Sequence, residues 1–149
     1  MNSEQVFLED FSIAGGDFVS AGEASCRIRQ VLSEIGVEAT ILRRVAIAAY
    51  EAEMNVVMFA RQGTMRLSVS SREISITVED QGPGIPDVEL AMQPGYSTAT
   101  EEMREMGFGA GMGLPNMKKN SDIFKIDSVV GLGTKLEMSF ALNGGPHHA

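Results

Sequence analysis

Glu51 and Asn55 stand four residues apart in the run Glu51-Ala52-Glu53-Met54-Asn55. On a helix that spacing puts them roughly 40° apart on one face, one turn above the other. Magnesium takes oxygen ligands and keeps several waters while holding phosphates, so an amide carbonyl such as that of Asn55 suits direct coordination. A carboxylate one turn away can orient or deprotonate a nucleophile. The neighbours Ala48, Ala52 and Met58 are apolar, and a polar pair buried on an apolar face without partners is costly. Glu53 points elsewhere and reads as a solvated residue. Alone, E-x-x-x-N is common on helix surfaces that simply face solvent, so its meaning depends on what accompanies it.

Two further motifs come next in the chain. Asp80-Gln81-Gly82-Pro83-Gly84-Ile85 ends an apolar strand. A carboxylate held at a sheet end can accept a hydrogen bond from the exocyclic amine of adenine, which tells adenine from guanine. Gly82 and Gly84 would let the backbone turn sharply and approach the base, although a Gly-Pro-Gly turn after a strand is also an ordinary structural feature. Gly107-Phe108-Gly109-Ala110-Gly111-Met112-Gly113-Leu114 is rich in backbone donors and ends near Pro115, which suits a first helical turn. Free N–H groups and the helix dipole favour phosphate there. The run has spacing like G-x-G-x-x-G, but no βαβ unit surrounds it, and no G-x-x-x-x-G-K-[ST] is present, so neither a dinucleotide fold nor a P-loop is expected. Met103, Met106, Met112 and Met117 crowd the same stretch. Thioethers suit a segment that packs in more than one position, although methionine is abundant throughout the chain.

These residues need a framework. Val6 to Ile13 is short and mostly apolar, a first strand, broken by Gly15-Gly16, after which Asp17 can cap the next helix. Apolar residues at Ala21, Ala24, Ile28, Val31, Leu32 and Ile35 predict a helix from Phe18 to Ile35, ended by Gly36. A second helix is predicted from about Glu38 to Ala60, with Gln62-Gly63 as its stop. Met65–Ser70 and Ile74–Val78 alternate with period two around Ser71-Arg72-Glu73, a hairpin with one wet face. Asp87 to Met92 is a short helix, and Gln93 to Met106 has no periodicity and reads as a loop. Leu114 to about Asn120 is helical, and Ile123–Val130 and Thr134–Leu142 form a last hairpin across Gly131-Leu132-Gly133. Residues 143–149 form a Gly, Pro and His tail read as disordered, whose His147-His148 has no Cys or carboxylate beside it to complete a metal site. Grouped rather than alternating elements argue for an α+β fold: helices on one face of a mixed, mostly antiparallel sheet.

Together and in this order, the three motifs resemble the N, G1 and G2 boxes of the GHKL ATPases, the superfamily of gyrase B-type topoisomerases, Hsp-type chaperones, histidine kinases and mismatch-repair ATPases. That resemblance implies a two-layer Bergerat sandwich over residues 1–142 and a site for ATP and Mg²⁺. Within the superfamily the chain is most similar to the small bacterial anti-sigma-factor serine/threonine kinases and the related switch kinases. The sharpest stretches are Glu79 to Asp87, Gln93-Pro94-Gly95-Tyr96-Ser97-Thr98 and Gly109 to Leu114. The resemblance implies Glu51 as general base, Asn55 as Mg²⁺ ligand and Asp80 as adenine reader. Gly82, Gly84, Ile85, Gly109, Gly111, Gly113 and Leu114 would complete the nucleotide site, with 93–113 as a lid ordering over it. Gly131-Leu132-Gly133-Thr134 resembles the family's late G-x-G-T segment, whose Thr lies near phosphate; a tight hairpin turn reads equally well. Two stretches depart from the family pattern. Apolar Val56-Val57-Met58-Phe59 follows Asn55 where a polar residue is common, and a longer segment before the glycines leaves Arg104 without a matched counterpart.

Composition narrows the class. With 149 residues the chain fits one domain, large enough to bury roughly 70% of the surface its unfolded form exposes. A nucleotide-binding domain standing alone is the expectation. The net charge of −8, with twelve scattered basic residues, argues against a phosphate-backbone footprint and hence against nucleic acid. Cys26 is the only cysteine, which suits a reducing cytoplasm. No segment reads as a signal peptide or approaches spanning length, so no membrane is expected. The family resemblance implies phosphorylation of a Ser or Thr on a STAS-domain antagonist, and for some members binding of a sigma factor. An ATP-gated binding module without catalysis and a stand-alone histidine-kinase catalytic domain remain alternatives. The first long helix could support a homodimer or be ordinary core.

Overall fold

The computed structural model describes residues 5–95 and 113–142. The segment 96–112, with Gly109, Gly111, Arg104 and most of the expected lid, lies outside the described residues, as does the 143–149 tail. Among the described residues the elements run in the order β1 Gln5–Ala14, α1 Glu23–Ile35, α2 Ala39–Phe59, β2 Gln62–Ser70, β3 Glu73–Gln81, α3 Val88–Ala91, α4 Gly113–Asn120, β4 Ile123–Val129 and β5 Gly133–Ala141. The strands form one sheet in the order β1-β2-β3-β5-β4, and its ladders are antiparallel.

Period-two alternation assigns the two faces. Met65, Leu67 and Val69 on β2, Ile74, Ile76 and Val78 on β3, and Leu136, Met138 and Phe140 on β5 are all buried and share one core with residues of α1, α2 and α4. The other face is polar. One row across it pairs Asp10 with Arg66, Arg66 with Thr77, Thr77 with Glu137 and Glu137 with Lys125. Asp10 and Arg66 make a bidentate ion pair there, which suits a wet face. Helices therefore cover one face only, the two-layer Bergerat-type arrangement expected.

Helix α2 is the centre of the helical layer, touching α1, α4 and strands β1, β2 and β3. Its Ala48, Ala49 and Ala52 are fully buried, and these small side chains leave room for neighbouring elements on more than one side. Arg44 ties α2 to the α4–β4 connection, donating to the Asn120 carbonyl (3.0 Å) and pairing with Asp122 (2.8 Å).

Three expectations change in detail. Helix α1 begins at Glu23, not Phe18, because Asp17 Oδ1 accepts from the Ser20 N–H (3.1 Å) and closes a turn, and Gly22 then takes a left-handed conformation. Strand β2 starts at Gln62 directly after α2, so Gln62-Gly63 are strand residues as well as a stop. Strand β3 runs on through Asp80 and Gln81, which pair with Gly63 and Gln62. Asp80 is thus held within the sheet rather than beyond its end.

Candidate functional site

Glu51 and Asn55 lie on the side of α2 that receives the start of α4. A Cβ added at Gly113 would stand 3.2 Å from Asn55 Oδ1 and 3.6 Å from Glu51 Oε1. The first residue of α4 thus rests on both N-box side chains, and any larger residue there would press on them. Asn116, one turn further on, donates from Nδ2 to Glu51 Oε2 (3.2 Å). Leu114 and Met117 anchor α4 by burying their side chains in the core, which turns Gly113 and Asn116 toward α2. Glu51 and Asn55 are half-buried. A carboxylate with one oxygen fixed by an amide donor and a nearby amide oxygen form an oxygen-rich corner. Among the described residues no group of three or more His, Cys, Asp or Glu comes together. A Mg²⁺ ion that brings its own phosphates and waters needs only one or two protein oxygens, and the Asn55 amide fits that requirement.

Asp80, at the end of β3, forms the second cluster. Its Oδ1 accepts from the Thr134 N–H (3.1 Å) on the adjacent β5. Among the described residues Oδ2 takes no hydrogen bond. Partial burial pushes the Asp80 carboxyl above its ordinary range, with the Thr134 N–H pulling the other way. The loop after it folds back on the β4–β5 turn. Gly84 has φ +76°, and a Cβ there would stand 2.8 Å from Val130 Cα and closer still to the Val129 carbonyl, so glycine meets both the conformation and the contact. The Ile85 N–H donates to Ser128 Oγ (2.8 Å), and Gly82 packs against Ala60 at the end of α2.

The expected site residues therefore fall into two groups. Glu51, Asn55 and Gly113 meet at the α2–α4 seam. Asp80, Gly82, Gly84, Ile85 and Thr134 meet where β3 ends and β5 begins. Thr134 is joined to Asp80 rather than to Glu51 and Asn55. The Leu114 side chain belongs to the core. A depression of about 540 Å³ lined by Gly22, Cys26, Arg27, Gln30 and Tyr50 contains none of these residues.

Glu53 requires a correction. It is not solvated: it is 3% exposed, and its carboxylate accepts from the N–H groups of Gly22 (3.0 Å), Ala24 (3.2 Å) and Ser25 (2.9 Å). Gly22 has no side chain to cap α1, and Glu53 supplies that function from the neighbouring helix. Asn116 and Ser128 were also missed. Asn116 sits two residues after the glycine run's Leu, a position a helical reading of 114–120 could have turned toward α2. Ser128 gave no signal.

Residues 19–140 match the family described as the histidine kinase-like ATPase domain. The chain belongs to this family. The domain is a GHKL-type ATPase domain related to the anti-sigma-factor kinases. It is 33% identical over 113 residues to the serine/threonine-protein kinase RsbT of Bacillus subtilis, covering 73% of this chain and 79% of that protein. An anti-sigma F factor of Caldanaerobacter subterraneus is 38% identical over 93 residues, 62% of this chain and 57% of its own length. One from Clostridium kluyveri is 32% identical over 107 residues, 68% and 72% respectively. Among the described residues of this ATPase domain no helix is long and apolar enough to cross a membrane.

Proposed function

We propose that this chain is an ATP- and Mg²⁺-dependent protein serine/threonine kinase that phosphorylates a STAS-domain antagonist in a bacterial partner-switching pathway. The observation that carries the reading is the corner in which Gly113 rests on Asn55 and Glu51 while Asn116 holds one Glu51 oxygen. Similarity to RsbT, a serine/threonine-protein kinase, supports the activity. Similarity to anti-sigma F factors supports a sigma factor as a second partner, and the setting is the cytoplasm.

Asp80 accepts the adenine amine through Oδ2, its other oxygen being held by Thr134. Asn55 would hold Mg²⁺ through its amide oxygen. The metal, when bound, neutralises charge developing on the phosphate oxygens. Glu51 takes the proton of the substrate hydroxyl as that oxygen bonds to the γ-phosphorus. The bond from that phosphorus to the bridging oxygen breaks, and ADP leaves with the electron pair. Asn116 keeps the Glu51 carboxylate oriented for the proton it receives. Gly109 and Gly111 would add backbone donors to the phosphates.

The test is incubation of the protein and a purified STAS-domain partner with γ-labelled ATP. Acid-stable label on the partner is the expected result. Acid-labile label would make the chain a histidine kinase, and nucleotide-dependent binding without label would make it an ATP-gated binding module.

A further inference from the structure

The loop Asp80–Ile85 and the β4–β5 turn are interlocked by more than the Asp80 contact. The Gly131 N–H donates to the Pro83 carbonyl (2.9 Å), and the Gly82 N–H donates to the Leu132 carbonyl (3.3 Å). Backbone contacts of this kind hold the middle of the loop. Its Ile85 end is held by a hydroxyl and its Asp80 end by a backbone N–H. Ser128 Oγ accepts from the Ile85 N–H (2.8 Å) and lies 2.8 Å from Thr134 Oγ1. Thr134 in turn donates its N–H to Asp80 Oδ1. One serine hydroxyl therefore holds the loop directly at Ile85 and touches the side chain of Thr134, whose backbone N–H holds Asp80.

The hydrogen count shows how full this hydroxyl is. Ser128 has one hydrogen, with either Thr134 Oγ1 at 2.8 Å or the Gly133 carbonyl at 3.3 Å to receive it. In either case its oxygen also accepts from Ile85, so its hydrogen and at least one of its two acceptor positions are used inside the protein. Ser128 is half-buried, so it is placed to fix groups rather than to meet ligand. Removing the hydroxyl would strand the Ile85 N–H and free the Thr134 side chain to rotate. It would thereby loosen the Ile85 end of the loop that begins at Asp80, and the side-chain surroundings of the Thr134 that bonds Asp80.

We infer that Ser128 is a positioning residue for nucleotide selection: its hydroxyl holds the Asp80–Ile85 loop and Thr134 in the geometry that lets Asp80 tell adenine from guanine. This inference rests on the ATP reading of the Asp80 cluster. It assigns selectivity to a residue on the hairpin opposite the loop rather than to the loop's own sequence.

The experiment is calorimetric titration of the full chain with Mg·ATP and Mg·GTP, comparing wild type with Ser128→Ala, Ser128→Thr and Ser70→Ala. Ser70 is the control, because its Oγ also accepts from backbone N–H groups, those of Arg72 and Glu73, at the β2–β3 turn. Ser128→Ala is expected to weaken ATP binding by about ten-fold and to lower the ATP-to-GTP affinity ratio. Ser128→Thr, which keeps the hydroxyl, is expected to restore the ratio. Ser70→Ala is expected to change melting temperature alone. Should Ser128→Ala not fold, Ser128→Cys, similar in size but a weak hydrogen-bonding partner, is read in the same way. Wild-type ATP affinity and selectivity in the alanine or cysteine variant would overturn the inference. Failure of the wild type itself to bind nucleotide would overturn the ATP reading beneath it.

Discussion

Glu53→Ala should destabilise the protein severely without touching a substrate. The carboxylate accepts from three backbone N–H groups at the start of α1, at 2.9 to 3.2 Å. Hydrogen bonds to a charged group contribute about 1.5–3 kcal/mol each, and a buried donor left unpaired costs about 1–3 kcal/mol. The three do not add, because Gly22 is half-buried and its N–H can reach water in the variant. Ala24 and Ser25 are buried, so two orphaned donors remain, together with the lost attraction between the carboxylate and the helix N-terminus. The expected loss is about 3–5 kcal/mol, against a total stability of roughly 5–15 kcal/mol for a domain. Glu53→Gln should recover little, since its amide nitrogen would turn a donor toward N–H donors. Equilibrium urea unfolding measures this, with Glu34→Ala as the control: Glu34 is exposed on α1 itself and should move stability by less than about 0.5 kcal/mol. A loss below about 1 kcal/mol for Glu53→Ala would mean that α1 is capped adequately without it, and the reasoning would fail.

Three predictions concern the site itself. Asp80→Asn should weaken ATP binding by at least about ten-fold, the equivalent of losing a charged acceptor, while the fold survives; unchanged affinity by calorimetry would remove Asp80 from the site. The same variant tests a sign. Burial raises the folded-state Asp80 carboxyl above its unfolded value, so this group's contribution to stability is present at low pH and lost as pH rises through the folded value. Apo Asp80→Asn should therefore be more stable than wild type at neutral pH, with the advantage fading as pH falls through the folded value and gone below about pH 4; urea unfolding that shows the opposite trend would refute the burial argument. Asn116→Ala should lower the phosphoryl-transfer rate while leaving Mg·ATP affinity near wild type, because Asn116 holds Glu51 rather than ligand. An equal loss in affinity would make Asn116 a binding residue instead.

The layer architecture was legible because alternation and helical spacing both carry strong signals here. The runs 65–70 and 74–78 put every second residue into the core, as the structure finds. The placement of Glu51 and Asn55 on one side of α2 and of Asp80 near the end of β3 was legible because their spacing tied them to specific elements. Glu53 was misread because a surface helix was assumed. Two residues on from Glu51 the side chain turns through about 200°, which on a one-sided helix means solvent; α2 is covered by α1 as well as by the sheet and α4. The available signal was indirect, a glycine standing where α1 needed a capping side chain. The start of α1 was missed because Ala21 continues the apolar spacing, whereas Gly22 and the Asp17 turn decide the backbone. Ser128 was invisible, since its partner Ile85 lies far off in the chain and only the folding of the loop onto the β4–β5 hairpin brings the two together.

The most direct test of the account is phosphate transfer from Mg·ATP to the STAS-domain partner by Glu51→Ala, measured beside wild type with nucleotide saturating for both. Glu51 is proposed to take the hydroxyl proton and not to hold nucleotide. Transfer should therefore fall by about 10²-fold or more, the range expected for a positioned general base. Transfer by Glu51→Ala at the wild-type rate would contradict the account.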